Sequence, residues 1–412
     1  MNKEKWMFIL ATVIIAGAMI LTSCNGTNGV DDGGTDTPTV PNAPAIQQID
    51  ADNRELTVQW GAVGDADTYN LYWNTTGGVT TSDNSVTGLL TPYYVHSGLS
   101  LFKTYSYRIT AVNTAGESAL SNEMSQLASG IPEELWKRLA SDTANEDMFG
   151  ASVGMSGDYI VVGAYAEDAG GTDSGAAYIY ERNYGGQDYW GQVKKLTALD
   201  AQGWDYFGNS VAIDGDYVVV GAELEDGGGN SRGAAYIFGR NYGGQDNWGE
   251  VKKLTASDAE DSDHFANSVA INGDYIVVGA FYEDDAGTDS GAAYIYERNY
   301  GGQDNWGEMK KLTASDAEAD DRFGWSVAID GDFIIIGAQY ENGGGSQRGA
   351  AYIYGRNSGG QDNWGEVMRL TPSDAADNDR FGCSVAVSGD YAVVGANFED
   401  GAGTDRGAIY IF

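Results

Sequence analysis

The sequence predicts an all-β protein in which a five-bladed β-propeller of four-stranded blades follows a small β-sandwich. The first observation is an internal repeat. A Phe followed by Gly or Ala recurs at a constant step of 58 residues, at positions 149, 207, 265, 323 and 381. Internal repeats of this kind indicate a propeller or a solenoid. The second is composition, since 59 glycines and 26 tyrosines with only 6 prolines suit short strands joined by tight turns.

The first residues read as an export signal. Lys3 and Lys5 precede an apolar run over residues 6–21, which ends in the sequence Leu-Thr-Ser-Cys at residues 21–24. This order resembles the signal of bacterial lipoproteins, and it predicts a signal peptide over 1–23 and lipid attachment at Cys24. Asn25, by resemblance to Gram-negative lipoproteins, implies sorting to the outer membrane or cell surface. A retained signal anchor is the alternative.

Residues 24–43 are rich in Gly, Asp and Thr and almost free of apolar residues, so we expect a flexible tether after the lipidated cysteine. Residues 44–128 then alternate apolar and polar side chains in several short segments separated by turn residues, which predicts the antiparallel sandwich. Residues 129–134 are expected to link this sandwich to the propeller over residues 135–412.

The sandwich resembles a fibronectin type III domain. Trp60 stands where that family has a buried tryptophan, and Tyr105 stands at the family's tyrosine corner. The sequence departs from the family at Leu101 and Phe102, where Pro and Gly are usual. Such domains usually act as spacers, and the resemblance implies that role here.

Each copy of the 58-residue repeat contains four strand-like segments, which in the second copy span residues 207–213, 216–222, 233–238 and 248–254. The pair Asp214-Gly215 separates the first two segments, and an X-Gly pair stands at this place in every copy. Such pairs supply the positive φ angles of a type I′ turn, so we expect a hairpin there. Four antiparallel strands of this length make one propeller blade.

The fifth copy stops after its third strand-like segment, at residues 409–412. The segment 135–139, Leu-Trp-Lys-Arg-Leu, resembles the fourth segment of the internal copies. We therefore expect residues 135–139 to complete the last blade and close the ring of five. Closure would remove a sheet edge that otherwise invites aggregation.

The repeats resemble FG-GAP repeats, which form the blades of the integrin α-chain head and of many bacterial surface proteins. The sequences that carry the resemblance are Phe-Gly at 207–208, Val-Gly-Ala at 220–222 and Gly-Ala-Ala-Tyr at 233–236. The calcium loop of integrin-type blades is absent, because only the two-residue turn joins the first two strands. The proline that usually follows Gly-Ala is also replaced, by Tyr165, Glu223, Phe281, Gln339 and Asn397.

Charge restricts the possible partners. The chain has 60 acidic and 23 basic residues, a net charge of −37, and such a field repels the phosphate backbone of nucleic acids. Acidic loops suit calcium, which takes 6–8 oxygen ligands. The densest candidate ligands are Asp258, Asp261, Asp263, Asp284, Asp285 and Asp289. The alternative is that the aspartate two residues before each repeat Phe hydrogen-bonds turn amides.

Two further sets of residues have a structural and a functional interpretation. The loops Tyr-Gly-Gly-Gln-Asp-x-Trp, such as residues 242–248, could bind a sugar, but packing of the tryptophan between blades is favoured. His264 is expected to be a substituted loop residue, because the other copies have Met, Tyr or Arg at this place. Cys383 occupies another tolerant position.

No catalytic residue is predicted. The chain has only two histidines, His96 and His264, which argues against a Ser-His-Asp triad and against a zinc site. We expect a monomeric, surface-anchored binding or adhesion lipoprotein that presents its propeller to an extracellular protein or glycan, with no cofactor except possible calcium. The alternatives are a polysaccharide-degrading enzyme that uses loop carboxylates and a structural envelope protein. Near-identical blades argue against the enzyme.

Overall fold

The computed structural model describes residues 38–52, 55–100, 102–128, 136–186, 189–400 and 404–412, and every regular element in them is a β-strand. The chain divides into two compact units, Met1–Leu135 and Trp136–Phe412. The predicted signal peptide, Cys24, most of the tether and the linker over 129–134 lie outside the described residues. In the part that is described, no helix has the length and apolar character needed to cross a membrane.

The first unit is a two-sheet sandwich, as predicted. Its eight strands are β1 (Ile46–Asp52), β2 (Glu55–Trp60), β3 (Thr68–Asn74), β4 (Asn84–Leu89), β5 (Tyr93–His96), β6 (Thr104–Asn113), β7 (Gly116–Glu117) and β8 (Met124–Leu127). One sheet has the order β1-β2-β5, and the other has the order β4-β3-β6-β7 with β8 also paired to β6. Apolar side chains on the inner faces of both sheets form the core, among them Leu56, Leu71 and Ile109.

Two residues predicted from the family resemblance lie as expected. Trp60 is buried at the end of β2, and its ring meets that of Tyr69 edge to face at a centroid distance of 5.5 Å. The Tyr105 hydroxyl accepts a hydrogen bond from the backbone N–H of Ser100 at 3.1 Å, which is the contact of a tyrosine corner. Phe102 has φ of 61°, and its side chain is 77% exposed. The turn therefore keeps the left-handed backbone that the family's glycine would adopt, at a cost of about 1–2 kcal/mol.

The second unit contains five consecutive antiparallel sheets. Their strands are β9 (Ser152–Ser156), β10 (Tyr159–Ala164), β11 (Ala176–Glu181), β12 (Gly191–Leu196); β13 (Phe207–Asp214), β14 (Tyr217–Ala222), β15 (Ala234–Gly239), β16 (Gly249–Leu254); β17 (Phe265–Asn272), β18 (Tyr275–Ala280), β19 (Ala292–Glu297), β20 (Gly307–Leu312); β21 (Phe323–Asp330), β22 (Phe333–Ala338), β23 (Ala350–Gly355), β24 (Gly365–Leu370); and β25 (Phe381–Ser388), β26 (Tyr391–Ala396), β27 (Ala408–Ile411). The first four sheets have four strands each, and the fifth has three.

The hairpin between the first two strands of each sheet is confirmed, but its predicted turn type is wrong. In the second sheet Asp214 pairs with Tyr217, so the central residues of the turn are Gly215 and Asp216. Gly215 has φ of 54°, whereas Asp216 is not among the residues with positive φ. A positive φ at the first central position alone defines a type II′ turn, and glycine is the residue that this position favours.

Consecutive sheets meet backbone to backbone. The first strands of neighbouring sheets pack against one another, and Gly291 at the start of one third strand forms a parallel bridge with Phe323 of the next sheet. A Cβ atom on Gly291 would lie 2.0 Å from the Phe323 carbonyl oxygen, and one on Gly279 would lie 2.0 Å from the Gly324 oxygen. Any side chain at these two places would force the sheets apart, which explains the Gly-Ala pairs in every copy.

Closure of the ring by residues 135–139 is not confirmed. In the described part of this segment, residues 136–139 form no strand, and β27 has no partner on its outer side. Ile409 and Ile411 are therefore 70% and 65% exposed, whereas the equivalent Ala235 and Ile237 of the second sheet are fully buried. The end of the segment does make the contact of the internal copies with the following sheet, because the Tyr180 hydroxyl donates to the Leu139 carbonyl at 2.9 Å as Tyr296 donates to Thr255.

Candidate functional site

Acidic and basic side chains form the same network in each of the first four sheets. In the third sheet the Tyr294 hydroxyl donates to Asp258 at 2.9 Å. The Lys311 ammonium bonds Asp258 and Glu283 at 2.7 Å each and Asp285 at 2.6 Å. Burial alone would lower the pKa of Lys311, but hydrogen bonds to these carboxylates raise it above its usual value.

The other copies repeat this arrangement with their own residues. The central cations elsewhere are Lys195 with Asp142 and Glu167, Lys253 with Asp200 and Glu225, and Arg369 with Asp316 and Glu341. Many of the carboxylates on this surface therefore form salt bridges with a lysine or arginine of the same network.

The six aspartates predicted as calcium ligands are not gathered into one site. Asp258 and Asp285 share Lys311, together with Glu283, and the three carboxylates offer oxygens within 4.8 Å of one another. The remaining four bond locally: Asp261 accepts from Arg232 Nε, Asp263 from the Glu260 amide, and Asp284 from the amide of Asp289. Calcium binding stays a prediction, and an ion beside Asp258 would compete with the Lys311 ammonium.

The alternative interpretation, in which the aspartate two residues before each repeat Phe hydrogen-bonds turn amides, is confirmed. All five accept a hydrogen bond from the backbone amide three residues earlier, at 2.6–2.8 Å, and all five are buried: Asp147, Asp205, Asp263, Asp321 and Asp379. Burial raises the pKa of three of them, Asp205, Asp263 and Asp321, to about 6.

The tryptophans of the Tyr-Gly-Gly-Gln-Asp-x-Trp loops pack between sheets, as favoured from the sequence. Trp248, Trp306 and Trp364 are buried, and each meets a tyrosine of the preceding sheet edge to face. The distance between ring centroids is 5.3 Å for Trp306 and Tyr217. These tryptophans are therefore part of the core, so they are not available to a ligand.

A cleft of about 580 Å³ opens where the first strands of the first four sheets begin. We call it the aromatic cleft, and its lining residues are Ala151, Tyr165, Tyr206, Asn209, Glu223, His264, Asn267, Phe281, Tyr282 and Trp325. Its volume lies within the range of small-molecule binding sites.

All ten lining residues occupy four positions of the repeat, and at these four positions the copies differ. We call them the variable positions. The residues in copies one to five are Met148, Tyr206, His264, Arg322 and Arg380; Ala151, Asn209, Asn267, Trp325 and Cys383; Tyr165, Glu223, Phe281, Gln339 and Asn397; and Ala166, Leu224, Tyr282, Tyr340 and Phe398.

The residues that support the cleft are invariant among the copies, although other loop positions differ, such as the three residues before each turn aspartate. The Tyr and Asp of each network, the glutamate that bonds the central cation, the repeat Phe and the turn aspartate are identical in all five copies, as in Tyr294, Asp258, Glu283, Phe265 and Asp263. Because side chains that differ among the copies meet on one concave surface beside this invariant framework, this surface is the candidate functional site.

The aromatic side chains of the cleft form a row that consists of two groups of contacting rings. Ring centroids lie 5.3 Å apart for Tyr165 and Tyr206, 5.4 Å for His264 and Phe281, and 4.8 Å for Phe281 and Trp325. The row crosses from the first sheet to the fourth, because its members come from successive copies of the repeat.

The backbone is strained at the variable position before each Phe. Tyr206, His264 and Arg322 have φ of 59°, 52° and 57°, in the left-handed region that favours glycine. Large side chains are held there despite a cost of about 1–2 kcal/mol each. Residues held in such conformations concentrate at binding and active sites.

The ionisable groups in the cleft are shifted towards their neutral forms. Burial raises the pKa of the Glu223 carboxyl and lowers the pKa of the His264 imidazole. His264 is therefore neutral at pH 7 and can both donate and accept a hydrogen bond. The cleft thus combines flat rings with the neutral imidazole of His264 and the amides of Asn209 and Asn267.

Sequence reasoning placed no functional residue in this cleft. It interpreted His264 and Cys383 as occupants of tolerant positions, and Tyr165 and Glu223 as departures from the family's proline. The signal that could have found the site was the coincidence of these differences beside two invariant features, the repeat Phe and the Gly-Ala pair.

The family comparison identifies the second unit. The FG-GAP repeat family matches residues 134–180, 190–238, 248–296, 306–354 and 364–412, which together make up more than half of the chain. The chain belongs to the FG-GAP repeat family. Residues 41–126 match the fibronectin type III domain, so this FG-GAP protein also contains that domain.

No curated protein sequence matches this FG-GAP protein. Similar solved structures include the Fn3-like protein from Clostridium thermocellum, with 22% identity, a TM-score of 0.18, and coverage of 21% of this chain and 92% of that one. The β-1,2-glucanase from Parabacteroides distasonis is 24% identical, with a TM-score of 0.19, over 23% of this chain and 14% of its own length. The FN5 domain of Drosophila Lar is 18% identical, with a TM-score of 0.20, over 22% of this chain and 99% of its own length.

The buried turn aspartates predict that mild acid stabilises the FG-GAP unit. Because the pKa values of Asp205, Asp263 and Asp321 are about 6 in the fold and 3.8 in the reference state, their contribution to stability is complete below pH 4 and is lost as the pH rises through 6. At about 1.4 kcal/mol per pKa unit, we expect a melting temperature at least roughly 5 °C higher at pH 5 than at pH 7.5.

The triple substitution of these three aspartates by asparagine is the control, because asparagine keeps the oxygen that accepts the turn amide and cannot ionise. This variant should show a flatter pH dependence between pH 5 and 7.5 by calorimetry. A parent protein that melts at the same or a lower temperature at pH 5 would contradict the assignment.

Proposed function

We propose that this protein is a monomeric lipoprotein of a bacterial cell surface that binds an extracellular glycan in the aromatic cleft. The observation that carries the proposal is that all ten residues of the cleft lining lie at four repeat positions where the copies differ, beside a framework of buried residues that is identical in every copy. The invariant framework provides a rigid support, and a concave surface lined by side chains that are free to differ is what a binding site on such a support requires.

A glycan suits the chemistry of the cleft better than a protein does. A sugar ring has apolar faces and a rim of hydroxyl groups, so it needs flat apolar surfaces with neutral donors and acceptors between them. Tyr165, Tyr206 and Trp325 supply rings, while Asn209 and Asn267 supply amides. The row of rings crosses several sheets, which favours a chain of sugars over a single one.

Binding is favoured over hydrolysis. Glycoside hydrolases use two carboxyl groups on opposite sides of the scissile bond. Glu223 is the only carboxyl group among the described residues that line the cleft. The carboxylates of the neighbouring loops are engaged by lysines, as Asp258 and Glu283 are by Lys311.

The cleft predicts which substitutions abolish binding. Trp325→Ala and Tyr206→Ala should each weaken the binding of a cleft oligosaccharide at least about tenfold, which corresponds to about 1.4 kcal/mol. The ligand would first be selected on an array of glycans and matrix proteins, and affinities would then be measured by calorimetry. The matched control is Trp204→Ala, because Trp204 is an exposed tryptophan outside the cleft. Equal affinities of the Trp325 and Trp204 variants would refute the site.

Lipid attachment at Cys24 would hold the protein at the membrane, since acyl chains bury about 0.8 kcal/mol of free energy per CH₂ group. Bacterial cells that express the full chain should incorporate labelled palmitate into it. Cys24→Ser should abolish the label and release the protein from the membrane fraction, whereas Cys383→Ser should change neither. Labelling that survives Cys24→Ser would disprove the anchor.

We further propose that the five sheets close into a propeller in solution, with residues 136–138 as the missing strand. In the first sheet Tyr178 pairs with Lys195, and Lys137 lies one repeat step of 58 residues before Lys195. Lys137 opposite Tyr410 would therefore provide the fifth network cation, beside Asp374, which already accepts from the Tyr410 hydroxyl at 3.0 Å. Closure would also cover Ile409 and Ile411.

A disulfide tests this register. By the same step, Arg138 should face Ile409, as Leu196 faces Ala177. In a background without Cys24 and Cys383, the pair Arg138→Cys and Ile409→Cys should form a disulfide within the monomer, seen by mass spectrometry. The pair Arg138→Cys and Ile411→Cys, two residues out of register, should not. Cross-links only between chains, or none, would contradict closure.

A further inference from the structure

Two arginines extend the row of rings beyond the cleft. The Arg322 guanidinium carbon lies 4.8 Å from the Tyr282 ring centroid and 4.2 Å from that of Tyr340. Arg380 lies 4.9 Å from Tyr340 and 4.4 Å from Phe398. Tyr340 thus contacts two cations. Both arginines occupy the variable position before the repeat Phe, where the first three copies have Met, Tyr and His.

Neither arginine has a carboxylate partner within the described ranges. Both form no salt bridge and no side-chain hydrogen bond there, and the Nε atom of each is buried without any partner. Seven other arginines of this unit each pair with an aspartate or glutamate: Arg182, Arg232, Arg240, Arg298, Arg348, Arg356 and Arg369. In a chain with 60 acidic residues, half-buried arginines without such a partner are exceptions, and Arg138 is the other one among the described residues of this unit.

The nearby acids do not neutralise the pair. Asp321 and Asp379 precede the two arginines in the chain, but each accepts a hydrogen bond from its own turn, from the amides of Glu318 and Ala376. Burial raises the pKa of Asp289, and the positive charge of the nearby Arg322 opposes this effect only in part. Asp289 forms no salt bridge with Arg322, so the guanidinium stays available.

We propose that Arg322 and Arg380 form an anion subsite that takes the carboxylate of a uronic acid in the bound glycan. The proposal rests on the proposed function of the cleft. A guanidinium binds a carboxylate through two parallel N–H···O bonds. The terminal Nη groups, which unlike Nε are not buried, provide the donors for them. Stacking on Tyr282, Tyr340 and Phe398 holds both planes in place before a ligand arrives.

The subsite is continuous with the cleft through Trp325. The Trp325 ring lies 4.8 Å from Phe281 inside the cleft and 6.3 Å from Tyr340 between the arginines. A chain of sugars that stacks on Trp325 therefore reaches Arg322 and Arg380 with its next unit. The uncharged sugar rings bind at the cleft end of the row, and the uronic acid carboxylate binds at the arginine end.

Hexamers of galacturonate, of alginate and of hyaluronan, each compared with its methyl ester, test the subsite. Esterification removes the charge and keeps the sugar rings. With the full chain, we expect at least one acidic hexamer to bind tenfold or more tightly than its ester. Arg322→Gln and Arg380→Gln should each reduce this ratio to below threefold while the affinity for the ester is retained. Arg240→Gln is the matched control, because Arg240 also stacks on a tyrosine but is paired with Asp246.

The outcomes separate the subsite from the cleft. Equal affinities for acid and ester, both lost in Trp325→Ala, would overturn the anion subsite and leave the glycan-binding cleft intact. An acidic peptide that binds more tightly than every hexamer, in competition with none of them, would overturn the uronic acid as the ligand. Failure of all hexamers and esters to bind would overturn both proposals.

Discussion

The architecture of the second unit depends on close backbone contact between consecutive sheets. Glycine at the end of each second strand and at the start of each third strand lets a neighbouring carbonyl approach to where a Cβ atom would be, as for Gly279 beside Gly324 and Gly291 beside Phe323. The contact fixes the distance between the first strands and places the residue before each Phe at positive φ. These variable side chains therefore converge on one surface from four different copies.

This constraint divides the repeat into two classes of residue. The repeat Phe, the turn aspartate and the acid–cation network are fixed, because each is buried or engaged in contacts that every copy needs, as with Phe265, Asp263 and Asp258. The variable positions lie at the edge of the contact between sheets and are not required for these shared contacts. They are therefore free to carry rings, amides and unpaired guanidinium groups, and the acidity of the surroundings makes Arg322 and Arg380 a local exception rather than part of a basic surface.

The structural features that follow from the periodicity of the sequence were predicted correctly. The repeat step, the strands and the buried Trp60 follow from spacing and residue type, and the structure has them in place. Two features depended on three-dimensional detail and were not predicted: the turn at Gly215, which is shifted by one residue, and the cleft itself. His264 and Trp325 differ from their equivalents in the other copies, and a linear sequence does not distinguish a tolerated difference from a useful one until both residues are found against Phe281.

A chain in which the cleft is made uniform tests most directly whether the variable positions are functional. Asparagine already stands at two of the four, as Asn209 and Asn267 at the position of Trp325 and as Asn397 at the position of Phe281, and it tolerates positive φ. The measurement is the affinity of a triple variant, Tyr206→Asn, His264→Asn and Trp325→Asn, for the glycan that the parent binds, together with its melting temperature. The account predicts a melting temperature within roughly 5 °C of the parent and no measurable binding. Retained binding by this folded variant would contradict it.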